Sequence, residues 1–185
     1  MYKDAIMESS PHFKTVFDNK KGPEGESKIL KLPDVEAEVF VLFNNWLNTN
    51  KIDHTDLKDP ELMELAKLWT KAGDWEIPAL QNQAMYLPIR LIKDTREAPS
   101  QEKDGILREF YQHAYAAKGQ TFLKKLAVHK MTCSIPQLVS LDEWVSEFPE
   151  GMMADITKAW IKHHASLPDE YKYPPIKTAE FLVKE

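Results

Sequence analysis

The spacing of the apolar residues between positions 29 and 85 is the feature that most constrains how this chain can fold. In two stretches, residues 35–47 and 62–72, apolar side chains recur at intervals of three and four. This spacing is typical of a helix that buries one face. Because exposing the apolar face of either helix to water is unfavourable, the two helices are expected to pack into one core. The predicted core residues are Phe40, Phe43, Trp46, Leu65, Leu68, Trp69, Ile77 and Leu80.

Helix start and stop signals divide this region further. Ser10 followed by Pro11 predicts the N-cap and first position of a short helix. Asp34 is predicted to cap a helix that begins at Val35, and Gly73 is predicted to end the helix over residues 62–72. The pattern therefore predicts several short helices joined by polar loops.

One short stretch has a different period. Lys28-Ile29-Leu30-Lys31-Leu32 alternates charged and apolar residues and is stopped by Pro33. Alternation of this kind predicts a strand with one buried face. The predicted fold class is therefore mainly α with a small β component (α+β).

A polar stretch, residues 95–101, is the best candidate for a linker. Apolar residues at helical spacing resume beyond it, and the last part of the chain is rich in Pro and Tyr. The predicted organisation is a first domain at 1–94, a linker at 95–104, a helical extension at 105–166 and an extended tail at 167–185.

Composition excludes several classes of protein. The chain has 185 residues, 43% of them hydrophobic, which is enough for an ordinary core. A net charge of −5 provides no basic surface for nucleic acid, and no apolar run is long enough to span a membrane. A single cysteine, Cys133, excludes an intrachain disulfide and fits a reducing compartment. We therefore expect an intracellular protein, cytoplasmic or nuclear, with no membrane or nucleic-acid partner.

The sequence contains no arrangement typical of catalysis. His129 and Cys133 have the spacing of two metal ligands on a helix, but no second pair completes a four-ligand site. His163 and His164 are adjacent and would diverge on a helix. No glycine-rich phosphate loop occurs. The expectation is a protein that is not an enzyme and has no cofactor or metal.

The order of motifs in the first half resembles the BTB/POZ domain in its fungal form. The matching segments are "SSPHFKTVFD" (residues 9–18), "LPDVEAEVFVLFNNWLNT" (32–49) and "LMELAKLWTKAGDWEIPALQNQAM" (62–85). "GILREFYQHAYA" (105–116) resembles the helical extension that follows such domains. The resemblance implies a BTB/POZ-like helical core with an α-helical C-terminal extension.

The function that this resemblance implies is protein–protein interaction, commonly as a homodimer that serves as a scaffold or adaptor. Some members are adaptors for cullin ubiquitin ligases. Their contact loop corresponds here to Leu57 and Asp59, an imperfect match because Asp replaces Glu. The alternative is a monomeric or degenerate BTB-like adaptor whose partner surface lies in the C-terminal helices.

The chain departs from the family pattern at its start, since only eight residues precede Ser9 where the family has a β-hairpin. The predicted strand would then lack its usual neighbours, and unpaired strands tend to pair with other chains. A shortened fold, a piece of a longer chain, and an edge supplied by a second copy all remain open. The residues proposed for the interaction surface are Ile6, Met7, Phe13, Phe17, Ile29 and Leu30.

Overall fold

In the computed structural model, every regular element among the described residues is an α-helix. The described residues are 3–19, 27, 29–52, 62–94, 101–116, 121–134, 145–164 and 183. The eight helices are α1 (Lys3–Ser9), α2 (Pro11–Asp18), α3 (Ala37–Thr49), α4 (Leu62–Asp74), α5 (Pro78–Asp94), α6 (Gln101–Ala116), α7 (Phe122–Ser134) and α8 (Met152–His164).

The predicted β component is therefore wrong for the part of the chain that the structure describes. Residues 29–32 are irregular, and the turn that follows them is closed by the Val35 N–H donating to the Leu32 carbonyl at 3.3 Å. A strand needs a neighbouring strand to satisfy its backbone, and no such neighbour occurs among the described residues. Alternation of charged and apolar residues is therefore not sufficient to make this segment a strand.

The chain forms two compact units. Unit 1 comprises Met1–Met85 with Val183–Glu185, and unit 2 comprises Tyr86–Leu182. The boundary lies inside α5 rather than after residue 94, and α6 already begins at Gln101, within the predicted linker. The placement of Val183 in unit 1 was not expected, because residues 167–185 were assigned to a tail.

The core of unit 1 is built around three aromatic rings from separate elements. α1 packs against α2 and α3, and α3 packs against α4. Phe13 of α2, Phe43 of α3 and Trp75, which follows α4, are all buried. The ring centroids of Phe43 and Trp75 are 4.5 Å apart, and those of Phe13 and Trp75 are 5.5 Å apart. Tilted contacts between these rings join α2, α3 and the end of α4.

Ser10 has the predicted role of capping α2 and also makes a long-range contact. Its hydroxyl oxygen accepts from the Phe13 N–H at 3.1 Å, and Pro11 occupies the first helical position. The same hydroxyl donates to the Trp75 carbonyl, 65 residues away. Because Ser10 is fully buried, both bonds are shielded from water. One side chain thus fixes the start of α2 to the end of α4.

The start of α3 differs from the prediction. The helix begins at Ala37 with Glu36 at the N-cap position, and no side chain caps it. Asp34 lies in the turn that precedes the helix and so cannot serve as its cap. Glu36 instead pairs with Lys67 of α4 at 2.6 Å. Both side chains are partly exposed, so this ion pair contributes little to stability.

The end of α4 is a Schellman motif with an unusual residue in the left-handed position. The Ile77 N–H donates to the Ala72 carbonyl at 2.9 Å, and the Glu76 N–H donates to the Gly73 carbonyl at 3.1 Å. Glu76 has a φ of 56°, a conformation that favours glycine. Gly73 was predicted to end this helix, but the helix continues to Asp74 and the left-handed residue comes three positions later.

Replacing Glu76 by glycine is expected to stabilise unit 1. Glycine adopts positive φ without the steric cost that a Cβ introduces, so we expect a gain of about 1 kcal/mol in the free energy of unfolding. The Glu76 side chain is exposed, so little packing would be lost with it. Urea unfolding of Glu76→Gly beside Glu76→Ala measures this, since alanine keeps the Cβ. Equal stability of the two variants would contradict the argument.

In its described residues, unit 2 has three helices beyond α5, with α7 packed against both α6 and α8. Phe110, Tyr111, Leu126 and Ile156 are buried between them. The Tyr115 hydroxyl of α6 donates to Asp155 of α8 at 3.0 Å. Burial raises the pKa of Tyr115 well above its ordinary value, and the hydrogen bond and negative charge of Asp155 raise it further. This tyrosine therefore acts as a neutral donor in the packing of unit 2.

Candidate functional site

Most of the apolar residues proposed for the interaction surface are covered within unit 1. Ile6, Phe13 and Phe17 are buried, and Met7 is half-buried. The apolar area of Ile6, Phe13 and Phe17 is already removed from water, so a partner cannot contact these three side chains while the unit stays folded. They belong to the core of unit 1 in this structure.

The segment at residues 29–32, here called the edge segment, is different. Ile29 is 60% exposed, and Lys31 is also exposed, whereas Leu30 and Leu32 are half-buried. This alternation is typical of an extended chain with one side against the protein. The Ile29 N–H donates to the Ser27 hydroxyl at 3.2 Å. The N–H and C=O groups of Leu30 and Lys31 form no backbone hydrogen bond to any described residue.

The other predicted site residues are distributed between the core and the undescribed part of the chain. Of the predicted core residues only Phe40 is half-buried, and the cullin-contact residues Leu57 and Asp59 lie outside the described residues. The buried members of that set are Phe43, Trp46, Leu65, Leu68, Trp69, Ile77 and Leu80.

Three consecutive amide side chains on α5, Gln81, Asn82 and Gln83, form a group that we call the amide triplet. Successive residues on a helix diverge by about 100°, so the three side chains reach different parts of the chain. The Gln83 side chain accepts from the Ile52 N–H at 3.2 Å and donates to the Asn50 carbonyl at 2.9 Å. It thereby fixes the segment that leaves α3.

Gln81 fastens α5 to the end of α4. Its side-chain Nε2 donates to the Trp69 carbonyl at 3.2 Å. The amide lies against Gly73, where an added Cβ would be only 2.5 Å from Gln81 Nε2. A side chain at position 73 would displace the end of the Gln81 side chain, so the absence of a Cβ there leaves room for this contact.

Asn82 binds a segment that is remote in sequence. Its Oδ1 accepts from the Val183 N–H at 2.8 Å, and its Nδ2 donates to the Val183 carbonyl at 3.1 Å. Both polar groups of one backbone residue are thus satisfied by one side chain, 101 residues away. Both residues are half-buried, so water competes only in part for these bonds.

The sequence prediction did not identify the amide triplet as a contact site. These residues were placed in a helix by their position after Pro78, which the structure confirms for α5. Three adjacent amides on a helix were the available signal, because Asn and Gln can donate and accept at once. Their partners, however, could not be assigned from local spacing.

The described residues contain no group of three or more His, Cys, Asp or Glu side chains that could hold a metal ion. His129, Cys133, His163 and His164 all lie in helices within this part of the chain. Among the helices in the described ranges, none is both long and apolar enough to cross a lipid bilayer.

No protein-family model matches the chain, and no curated protein and no solved structure matches it either. A function must therefore be argued from the residues themselves. Two features of unit 1 provide the argument: the amide triplet, and the edge segment, in which the backbone groups of Leu30 and Lys31 have no backbone partner among the described residues.

Proposed function

We propose that this chain is a protein–protein interaction module that forms a homodimer through its edge segment and serves as a scaffold or adaptor. The observation that carries the proposal is the exposure and the backbone hydrogen bonding of residues 29–32. Ile29 is exposed, and the N–H and C=O groups of Leu30 and Lys31 have no backbone partner among the described residues. The resemblance of the first half to BTB/POZ domains supports the same function.

The physical argument is that an extended edge is a template for a second chain. Backbone N–H and C=O groups gain hydrogen bonds when another extended segment pairs with them. A second copy offers the same segment, and two copies related by a two-fold axis pair it with itself. Because four residues form only a small interface, we expect a dimer that dissociates on dilution.

Replacing Ile29 by aspartate is expected to shift the protein towards monomer at a fixed concentration. The exposed Ile29 side chain would be covered in the dimer, and two aspartates brought close together repel. Light scattering on a size-exclusion column across a tenfold dilution measures the mass against 21.4 kDa for one chain. Val41→Asp is the matched control, since Val41 is 42% exposed on α3 and lies outside the edge segment.

A proline substitution tests whether dimerisation depends on backbone hydrogen bonds or on a side chain. Lys31→Pro removes one N–H from the edge segment, whereas Lys31→Ala removes only the side chain. Lys31 is exposed, so neither change disturbs the core. Dimerisation that is lost with proline and retained with alanine supports pairing through the backbone. Equal behaviour of the two variants would contradict it.

The alternative is a monomeric adaptor, with a possible cullin partner, that binds through its C-terminal helices. Exposed apolar side chains on α8 favour it, since Ile161 is 62% exposed and Met153 is 36% exposed. A mass of one chain at every concentration would decide against the homodimer. Loss of binding to a purified partner in Ile161→Asp, but not in Ile29→Asp, would then support this alternative.

A further inference from the structure

We infer that Asn82 is the receptor residue of a peptide-binding surface on unit 1, and that its occupant here is this chain's own segment at Val183. The inference rests on the amide triplet and not on the edge segment, so it is independent of the proposed homodimer. It gives unit 1 a second binding surface besides the edge segment, one that forms hydrogen bonds with the backbone of an extended peptide.

The two hydrogen bonds at Asn82 define the conformation that this surface accepts. An N–H and a C=O of the same residue point to the same side only when the backbone is extended. The Asn side chain offers one acceptor and one pair of donors, the same groups that a neighbouring strand presents. With distances of 2.8 Å and 3.1 Å, both bonds have ordinary geometry. The Asn82 side chain therefore makes the two hydrogen bonds to Val183 that a neighbouring strand would make in a sheet.

The receptor is held in place by the rest of unit 1. On either side of Asn82, Gln81 and Gln83 bind backbone groups of α4 and of the segment after α3. Ala84 and Met85, which follow on the same helix, are buried. A side chain on a helix fixed at several points loses little freedom when it binds a peptide. The surface is thus preorganised for its occupant.

The chemistry of the contact indicates the class of ligand. Hydrogen bonds to a backbone do not depend on sequence, but proline is excluded at the contact residue because it has no N–H. Val183 is half-buried, so an aliphatic side chain at this position adds apolar contact. The ligand class is an extended peptide with an aliphatic residue at its centre.

This chain supplies such a peptide itself. The chain leaves unit 1 after Met85, forms unit 2, and returns to unit 1 at Val183. Because occupant and receptor are covalently linked, the segment competes at a high effective concentration against free peptides. The contact is therefore an intramolecular latch between Asn82 and the chain at Val183.

Amide hydrogen exchange at Val183 tests the contact directly. In the unaltered chain the Val183 N–H is bonded to Asn82, and we expect Asn82→Leu to accelerate its exchange at least about tenfold. Asn48→Leu is the matched control, because Asn48 is exposed and its side chain donates to the Asn44 carbonyl of its own helix. Unchanged exchange in Asn82→Leu overturns the inference. Protection that falls on tenfold dilution also overturns it, since the occupant would then be a second copy.

A binding experiment tests the receptor separately. In Val183→Pro the latch loses its N–H, so the surface becomes available to a labelled peptide of residues 178–185. We expect the full-length Val183→Pro chain to bind this peptide at least about tenfold more tightly than the unaltered chain or Val183→Ala does. Adding Asn82→Leu to Val183→Pro should abolish the gain. Equal binding by all these chains overturns the inference.

Discussion

Replacing Phe43 by alanine is expected to lower the free energy of unfolding of unit 1 by about 4 kcal/mol. Phe43 is completely buried, and its ring centroid lies 4.5 Å from that of Trp75 and 6.2 Å from that of Phe13. Alanine removes the ring and leaves a cavity between three helices that cannot all move inward together. A loss of this size is a large share of the roughly 5–10 kcal/mol that stabilises a small domain.

Urea unfolding followed by tryptophan fluorescence measures this loss, with Trp46, Trp69 and Trp75 reporting on unit 1 and Trp144 and Trp160 on unit 2. The two units can unfold separately, so each transition must be fitted by itself. Val41→Ala is the matched control on the same helix, since Val41 is exposed, and we expect a change within about 0.5 kcal/mol. A loss below about 1.5 kcal/mol in Phe43→Ala would contradict the packed aromatic core.

Replacing Ser10 by alanine is expected to destabilise unit 1 by about 2.5 kcal/mol, through two losses at once. The N-cap bond to the Phe13 N–H disappears, and the Trp75 carbonyl loses its hydroxyl donor. Because Ser10 is fully buried, water cannot replace either bond without opening the packing between α2 and the end of α4.

The neighbouring Ser9 provides the matched control for this prediction. Its hydroxyl donates to the Ala5 carbonyl at 2.7 Å, so its bond is local to its own helix rather than long-range. Ser9→Ala is therefore expected to change the free energy of unfolding by less than about 0.5 kcal/mol. Thermal and urea unfolding of the two variants should differ clearly. Similar values for Ser9→Ala and Ser10→Ala would contradict the long-range role of Ser10.

Helix positions could be predicted wherever the deciding interactions are local. The Ser10-Pro11 start of α2 and the Pro78 start of α5 follow from capping and from the missing N–H of proline. The apolar faces of α3 and α4 follow from residue spacing. Such signals act within four or five residues, so they are visible before the chain folds.

The same reasoning was wrong where the outcome depends on a neighbouring segment. Asp34 is a good N-cap residue, but the turn at residues 32–35 delays the helix until Ala37. The alternation at residues 28–32 was interpreted as a strand, yet a strand exists only when another strand pairs with it. Neither the start of α3 nor the absence of a strand at residues 29–32 can be inferred from the type of one residue. Each depends on what the following or the facing segment does.

The sequence by itself therefore determined where the helices of unit 1 lie and which of their faces are apolar. Tertiary structure alone decided that Phe13 and Phe17 are covered while Ile29 is exposed, because burial depends on which helices come to lie against each face. It alone also decided that Asn82 holds Val183, across 101 residues. Side-chain amides bind any backbone group within reach, so only the folded chain selects their partners.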